Sequence, residues 1–221
     1  MTNHRPRLET GEIYHLYNKS IADTSIFSDF NYLKRALVLA SYYRFNQRLR
    51  LSKFYLLPKL VQRNYLSKIH LTTPLVDFYA FSFMPNHYHF LVKQMQDDGI
   101  MKFVSNFQNS YSKSFNLINK REGSLFLHSF KSKIITSEEA LIHVVRYIHI
   151  NHVTSYIIEF DQLANYLFSS YSWYLNNNMN MFINTELIMN HFKTKEKFIK
   201  FHENQVDYQR KLKEIKDSIL E

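Results

Sequence analysis

Cysteine is absent from this chain of 221 residues, and glycine and proline are scarce, with three and four copies. Without cysteine the chain has no disulfides, no thiolate nucleophile and no zinc site built on Cys ligands. The scarcity of glycine and proline, together with 45% hydrophobic residues, predicts a compact globular protein with few linkers. No apolar run reaches membrane-spanning length and the N-terminus has no apolar leader segment, so we expect a cytoplasmic protein.

The net charge is +9, and the basic residues that produce it are clustered. Between Arg44 and Lys68 there are seven basic residues and no acidic one, and between Lys102 and Lys133 there are six, with only Glu122 opposing them. Basic clusters among aromatic and amide side chains are typical of nucleic-acid-binding proteins, because cations meet phosphates and rings stack on unpaired bases. An ordinary solvated basic face is the alternative. The candidate DNA-binding residues in these clusters are Arg48, Arg50, Lys53, Lys113, Lys120, Arg121, Lys131 and Lys133.

The hydrophobic pattern predicts elements in the order β-α-β-β-α-β, followed by one more helix. A strand at 12–19 precedes a helix that runs to about Arg48. A hairpin of two strands, 75–84 and 87–94, follows a basic insertion at 49–73. The remaining predicted elements are a helix at 100–119, a strand at 131–135 and a helix that begins at Ser137. This order is the ferredoxin-like split βαβ pattern, an α+β fold with an antiparallel sheet.

Two histidines, His87 and His89, lie two residues apart in the second strand of the predicted hairpin. Alternate residues of a strand point to the same face, so the two imidazoles stand side by side. Such a pair can bind one divalent metal ion with two nitrogen atoms if further ligands come from elsewhere. The alternative is a pair of partly exposed strand histidines without a metal.

The helix that begins at Ser137 carries a tyrosine and an asparagine on one face. Ser137 is a favourable N-cap, and two glutamates follow it in the first turn. Tyr147 and Asn151 are four residues apart and therefore project from the same side of the helix. So placed, Asn151 can serve as a third metal ligand and Tyr147 as a nucleophile. The spacing also fits a tyrosine packed in the core beside an exposed asparagine.

Five motifs, taken in order, resemble the single-tyrosine HUH transposases, in particular the transposase-like proteins associated with repetitive extragenic palindromes. Two of the motifs carry the candidate site residues: Met-Pro-Asn-His-Tyr-His-Phe-Leu at 84–91 and Arg-Tyr-Ile-His-Ile-Asn-His-Val at 146–153. The other stretches that resemble the family are parts of 13–27, 110–132 and 166–171. The resemblance spans roughly residues 8–175.

The resemblance implies that residues 8–175 form a transposase domain that acts on single-stranded or hairpin DNA, as a monomer or homodimer. In the family reaction Tyr147 attacks a phosphodiester, which gives a 5′-phosphotyrosine link and a free 3′-OH. A phenol with a pKa near 10 is a weak nucleophile at neutral pH. The resemblance therefore also implies a Mg²⁺ or Mn²⁺ ion held by His87, His89 and Asn151.

Two positions depart from the family pattern. His152 stands where relatives usually have proline, and that proline normally ends the helix. Ser129 stands where relatives usually have arginine before Phe-Lys. The expected substitute for the phosphate contact of that arginine is His128 or Lys131.

Two further functions fit the sequence. A ferredoxin-like nucleic-acid-binding protein without catalysis shares the predicted fold. A metal-dependent phosphodiesterase that uses water leaves Tyr147 with a structural role only. An Asn-rich stretch at 176–181 leads to a helical extension at 185–221 with nearly balanced charge, which packs on the domain or contacts a partner.

Overall fold

The centre of the protein is a four-stranded antiparallel sheet, in a computed structural model that describes residues 8–176 and 182–211. Its strands are β1 (Ile13–Lys19), β2 (Val76–Met84), β3 (His87–Gln94) and β4 (Lys131–Ile135), in spatial order β2-β3-β1-β4. The strands β2 and β3 form the predicted hairpin, and β1 lies between β3 and β4. The topology confirms the α+β fold of the ferredoxin-like split βαβ type.

The helices differ from the prediction mainly around the basic insertion. The first helix is capped by Asp29, whose carboxylate accepts from the backbone N–H of Asn31 and Tyr32, and it ends at Tyr43, before the predicted end near Arg48. The insertion that follows forms two separate helices. In chain order the helices are α1 (Phe30–Tyr43), α2 (Leu51–Phe54), α3 (Lys59–His70), α4 (Gly99–Ile118), α5 (Glu138–Thr154), α6 (Tyr171–Leu175), α7 (Glu186–Phe192) and α8 (Lys195–Glu203).

Alternation along β3 separates its side chains into two sets that face opposite sides of the sheet. Tyr88 and Phe90 are fully buried on one side, where their rings contact Phe107 of α4 at centroid distances of 5.5 and 5.3 Å. The α1 helix packs on α4 on this side. His87 and His89 therefore point to the other side, where α5 lies against β2 and β3.

A chain of buried hydrogen bonds ties α8 to α5 and to β2. The Nδ1 atom of His202 lies 2.8 Å from the backbone oxygen of Phe198, and its Nε2 atom lies 3.0 Å from Nδ1 of His149. The Nε2 atom of His149 lies 3.0 Å from Oγ of Ser170, which accepts from the backbone N–H of Phe81 at 2.9 Å. The described part of the C-terminal segment therefore packs on the domain.

Some sequence predictions fall outside the described residues. They concern most of the Asn-rich stretch, positions 177–181, and positions 212–221 of the predicted helical extension. The division of the chain into a domain at 8–175 and a C-terminal extension at 185–221 stays a prediction. None of the helices in the described part of the chain is long and apolar enough to cross a membrane.

Candidate active site

The turn between β2 and β3 is fixed by backbone hydrogen bonds to the loop after β1. The backbone oxygen of Pro85 accepts from the N–H of Ile26 at 2.7 Å, and that of Asn86 accepts from the N–H of Ser20 at 2.8 Å. These bonds hold the start of β3 against the end of β1. The positions of the two histidines that open β3 are thereby set by backbone contacts.

The imidazole rings of His87 and His89 lie side by side, with ring centroids 5.0 Å apart. Nδ1 of His87 lies 2.6 Å from Oδ1 of Asn86. His89 is 5% exposed; its Nδ1 lies 2.9 Å from Nε2 of His15, and its Nε2 is buried without a hydrogen-bond partner. Burial, and then the neighbouring histidines, hold the pKa of His89 well below its ordinary value. The ring is therefore neutral at pH 7, which is the form that binds metal ions.

The α5 helix is anchored near both of its ends. At its start the Oγ of Ser137 accepts from the backbone N–H of Ala140 at 3.1 Å. Near its end the Nε2 of buried His152 lies 2.9 Å from the backbone oxygen of Phe83 in β2, a donor–acceptor contact. The helix continues past this residue to Thr154. The histidine that replaces the usual proline thus ties the helix to the sheet without ending it.

Tyr147 of α5 reaches the histidine side of the sheet. Its side chain is 39% exposed, and its ring centroid lies 5.5 Å from that of His89 and 6.0 Å from that of His15. Partial burial, and then the nearby phenol of Tyr17, raise the pKa of Tyr147. One helical turn later Asn151 is buried, and its Nδ2 atom has no hydrogen-bond partner. With its raised pKa and its partly exposed side chain, the phenol of Tyr147 is protonated at pH 7 and accessible to a substrate.

The polar atoms left without partners in this site are of the kind that bind a divalent metal ion. Buried polar atoms normally have a hydrogen-bond partner, and neither Nε2 of His89 nor the side-chain nitrogen of Asn151 has one. If the side-chain amide of Asn151 is turned by about 180°, its oxygen takes the place of the unpaired nitrogen. A ligand set of imidazole nitrogen and amide oxygen suits Mn²⁺ or Mg²⁺. Among the described residues no three His, Cys, Asp or Glu side chains are grouped for a metal ion. A third protein ligand to an ion bound by the histidine pair would therefore be of another residue type, and Asn151 is the predicted one.

Two residues of β1 lie in this site that the sequence analysis did not assign to it. His15 is paired across the sheet with Lys133, and Tyr17 is paired with both His89 and Lys131. The ring of Tyr17 stacks on that of His89 at a centroid distance of 5.7 Å. Burial, followed by the charge of Lys133, lowers the pKa of His15 to about 4. Alternation places His15 and Tyr17 on one face of β1, but only the strand order brings that face beside the histidine pair.

The candidate DNA-binding residues are divided between two sides of the sheet. Lys131 and Lys133 are exposed on the histidine side, because they occupy the positions of β4 that pair with that face of β1. Arg48, Arg50 and Lys113 line a groove of about 650 Å³ between α1, α2 and α4, on the opposite side. No acidic residue lines this groove. The remaining candidates, in α2 and in the connection between α4 and β4, are Lys53, Lys120, Arg121 and His128.

Part of the chain matches a known protein family. Residues 59–151, which include both histidines, Tyr147 and Asn151, match the family described as "Transposase IS200 like". The match confirms the resemblance that the sequence motifs indicate. None of the curated proteins matches the chain.

Solved structures with a similar fold include a transposase. The chain is similar to a REP-associated tyrosine transposase bound to a REP hairpin, with a TM-score of 0.52 and 16% identity over 82% of this chain and 90% of that chain. A protein of Deinococcus radiodurans R1 assigned as a transposase has a TM-score of 0.37 at 14% identity, over 67% of this chain and 95% of that chain. The tRNA(His) guanylyltransferase of Saccharomyces cerevisiae has a TM-score of 0.34 at 11% identity, over 74% of this chain and 69% of that chain. At 16% identity, the similarity to the REP-associated transposase shows a shared fold.

Proposed function

We propose that this transposase-like chain, whose residues 59–151 match the IS200-like transposase family, cleaves single-stranded or hairpin DNA and rejoins it through a tyrosine-linked intermediate. The position of Tyr147 carries this proposal. Its accessible phenol lies beside His89, whose Nε2 atom is buried without a partner. Cleavage of a phosphodiester by tyrosine needs an accessible phenol, and an unpaired imidazole nitrogen beside that phenol can hold a metal ion that assists the attack.

In the proposed reaction the phenol oxygen of Tyr147 attacks the phosphorus of a DNA phosphodiester. The new bond forms as the bond to the 3′ oxygen breaks; the phenol loses a proton and the 3′ oxygen gains one. A Mg²⁺ or Mn²⁺ ion held by His87, His89 and Asn151 would polarise the scissile phosphate. Because the phosphotyrosine keeps the phosphoester bond, a 3′-OH can attack it and rejoin DNA without a nucleotide cofactor.

The surface beside Tyr147 supports DNA as the substrate. Lys131 and Lys133 are exposed on the histidine side of the sheet, where they can contact phosphates that flank the scissile bond. The structurally similar REP-associated transposase was solved with a REP hairpin. We therefore propose that the DNA bound by this chain is single-stranded or folded into a hairpin.

Charge reversal should distinguish the two basic surfaces. Replacing Lys131 and Lys133 by Glu is expected to weaken DNA binding and also to slow cleavage at saturating DNA, because these residues flank the reacting phosphate. Replacing Arg48 and Arg50 by Glu is expected to weaken binding only. For each phosphate that the variant no longer neutralises, the slope of log K against log salt concentration should fall by about 0.7 for single strands. Fluorescence anisotropy at several salt concentrations measures the slope, and single-turnover cleavage measures the rate.

The matched control is the double replacement of Lys197 and Lys200 by Glu, two exposed residues of α8. It makes the same change of net charge at residues that belong to neither set of candidate DNA-binding residues. An unchanged salt slope for the Lys131 and Lys133 variant would identify these lysines as solvated residues with no contact to DNA.

Removal of divalent metal should stop cleavage and leave DNA binding in place. In EDTA a labelled single strand is expected to give no protein–DNA adduct on a denaturing gel, and added Mn²⁺ should restore the adduct. DNA binding should persist, because the exposed lysines and arginines do not depend on the ion. Equal adduct formation in EDTA would show that the tyrosine acts without a metal.

The same gel separates the rival functions. A non-catalytic nucleic-acid-binding protein gives neither cleavage nor adduct under any condition. A phosphodiesterase that uses water gives cleaved DNA without an adduct. Only the proposed reaction leaves part of the labelled DNA attached to the protein.

A further inference from the structure

We propose that His15 is a positioning residue that holds His89 in the tautomer able to bind a metal ion. The inference rests on the proposed function, because it assigns a role within the same site. The two imidazoles are buried on neighbouring strands, at 8% and 5% exposure, and Nε2 of His15 lies 2.9 Å from Nδ1 of His89. Their ring centroids are 5.1 Å apart and the ring planes differ by 27°, so the two rings meet edge to edge through this nitrogen contact.

One proton lies between the two rings, and its position decides what His89 can do. A neutral imidazole carries a single N–H, so the nitrogen that lacks the proton is the one that can bind a metal ion. If Nδ1 of His89 donates to His15, the lone pair of His89 is on Nε2. If His15 donates instead, Nε2 of His89 carries the proton and cannot bind a metal ion. His15 favours metal binding only as an acceptor.

His15 is the side chain whose nitrogen contacts Nδ1 of His89 in the described structure. Tyr17 also touches His89, but it does so through ring stacking and contributes no hydrogen bond to the imidazole nitrogens. The other ring nitrogen of His89 is buried and has no partner. Ring orientation and tautomer of His89 therefore depend on His15. This is the relation that typically exists between a metal-bound histidine and its outer hydrogen-bond partner.

Two substitutions separate the hydrogen bond from the packing. His15→Phe keeps an aromatic ring beside His89 but removes the acceptor. His15→Gln keeps a neutral acceptor at about the same reach. Loss of such a partner typically weakens metal binding by about 10- to 100-fold. We therefore expect Mn²⁺ affinity to fall by about that factor in His15→Phe and to stay within about threefold of wild type in His15→Gln. Tyr208→Phe, a conservative change at an exposed residue of the C-terminal segment, should leave the affinity unchanged.

The test combines two measurements on the full chain without DNA. NMR of the metal-free protein with ¹⁵N-labelled histidine reports which nitrogen of His89 carries the proton, and titration with Mn²⁺ gives the affinity. The expected result is an Nδ1–H tautomer in wild type and in His15→Gln, with a shift towards Nε2–H in His15→Phe. The wild-type tautomer is informative even if a variant fails to fold.

Either of two results would overturn the inference: an Nε2–H tautomer of His89 in the wild-type protein, or wild-type Mn²⁺ affinity in folded His15→Phe. Neither measurement involves DNA. Absence of a protein–DNA adduct would therefore count against the proposed cleavage reaction and leave the role of His15 to be decided by the tautomer and the affinity.

Discussion

Tyr147→Phe is expected to eliminate the covalent protein–DNA adduct, with a loss of at least about 1,000-fold in the rate of cleavage. The substitution removes only the phenol oxygen, which is the atom that would bond to phosphorus. The ring is 39% exposed at the surface of α5, so the free energy of unfolding should change by less than about 0.5 kcal/mol. Binding to DNA should also be retained. Denaturing gels measure the adduct, and anisotropy measures the binding.

Two other tyrosines provide the matched controls. Tyr17 has its ring beside His89 on the same face as Tyr147, so it is the spatial competitor for the role of nucleophile. Tyr111 is the competitor that its basic helix suggests, but it is 1% exposed and its hydroxyl donates to the backbone oxygen of Ile26. Tyr17→Phe and Tyr111→Phe are both expected to form the adduct. An adduct mapped to a peptide containing Tyr17 or Tyr111 would contradict the assignment.

His202→Ala is expected to lower the free energy of unfolding by about 3–5 kcal/mol. The change opens a cavity at a fully buried position and removes the hydrogen-bond partner of His149 and of the backbone oxygen of Phe198. Urea denaturation measures the loss. His191→Ala is the control, since His191 also joins the C-terminal segment to α5 but does so through an exposed contact with Glu138. That pair should contribute at most about 1 kcal/mol. Similar losses in the two variants would argue against the buried hydrogen-bond chain.

His202 also makes the stability depend on pH. Burial, and then the charge of Arg146, lower its pKa to about 3, partly offset by the hydrogen bond to Phe198, while the unfolded chain has a value near 6.5. Below pH 6.5 His202 therefore binds a proton in the unfolded state but stays neutral in the folded state. The contribution of His202 is fully present above pH 6.5 and is lost as the pH falls towards 3, by about 2 kcal/mol at pH 5. In His202→Ala the fall in stability between pH 7.5 and 5 should be smaller by that amount. An identical fall in both proteins would contradict the lowered pKa.

Local sequence patterns predicted the parts of the fold that depend on neighbours in the chain. The hairpin of β2 and β3 and the start of α5 at Ser137 agree with the structure, because alternation, turn residues and capping are local properties. The end of α1 was misplaced, because no glycine or proline marks the point where the chain leaves the helix after Tyr43. The packing of the C-terminal segment could not be read from its balanced charge. It depends on single contacts such as that between His202 and His149.

In the candidate site, too, some features follow from the local sequence and others depend on how the chain folds. The spacing of Tyr147 and Asn151 and the alternation of the histidine pair are local features, and both can be read from the sequence. The contact between His15 and His89 joins residues 74 positions apart, and it exists because β1 lies beside β3. The spacing of residues along the chain does not reveal a contact between two strands so far apart in sequence. Similarly, the split of the basic residues between two sides of the sheet follows from the strand order and from the packing of α4.

The anchoring of α5 has a consequence for the stoichiometry of the proposed reaction. The helix that carries Tyr147 lies on the sheet of its own chain, where His152 binds Phe83 and Tyr147 reaches His89. Nucleophile and histidine pair are therefore present in a single polypeptide. We therefore expect the proposed cleavage to need one chain per cut. Its rate should be first order in protein, because dilution does not separate the nucleophile from the rest of the site.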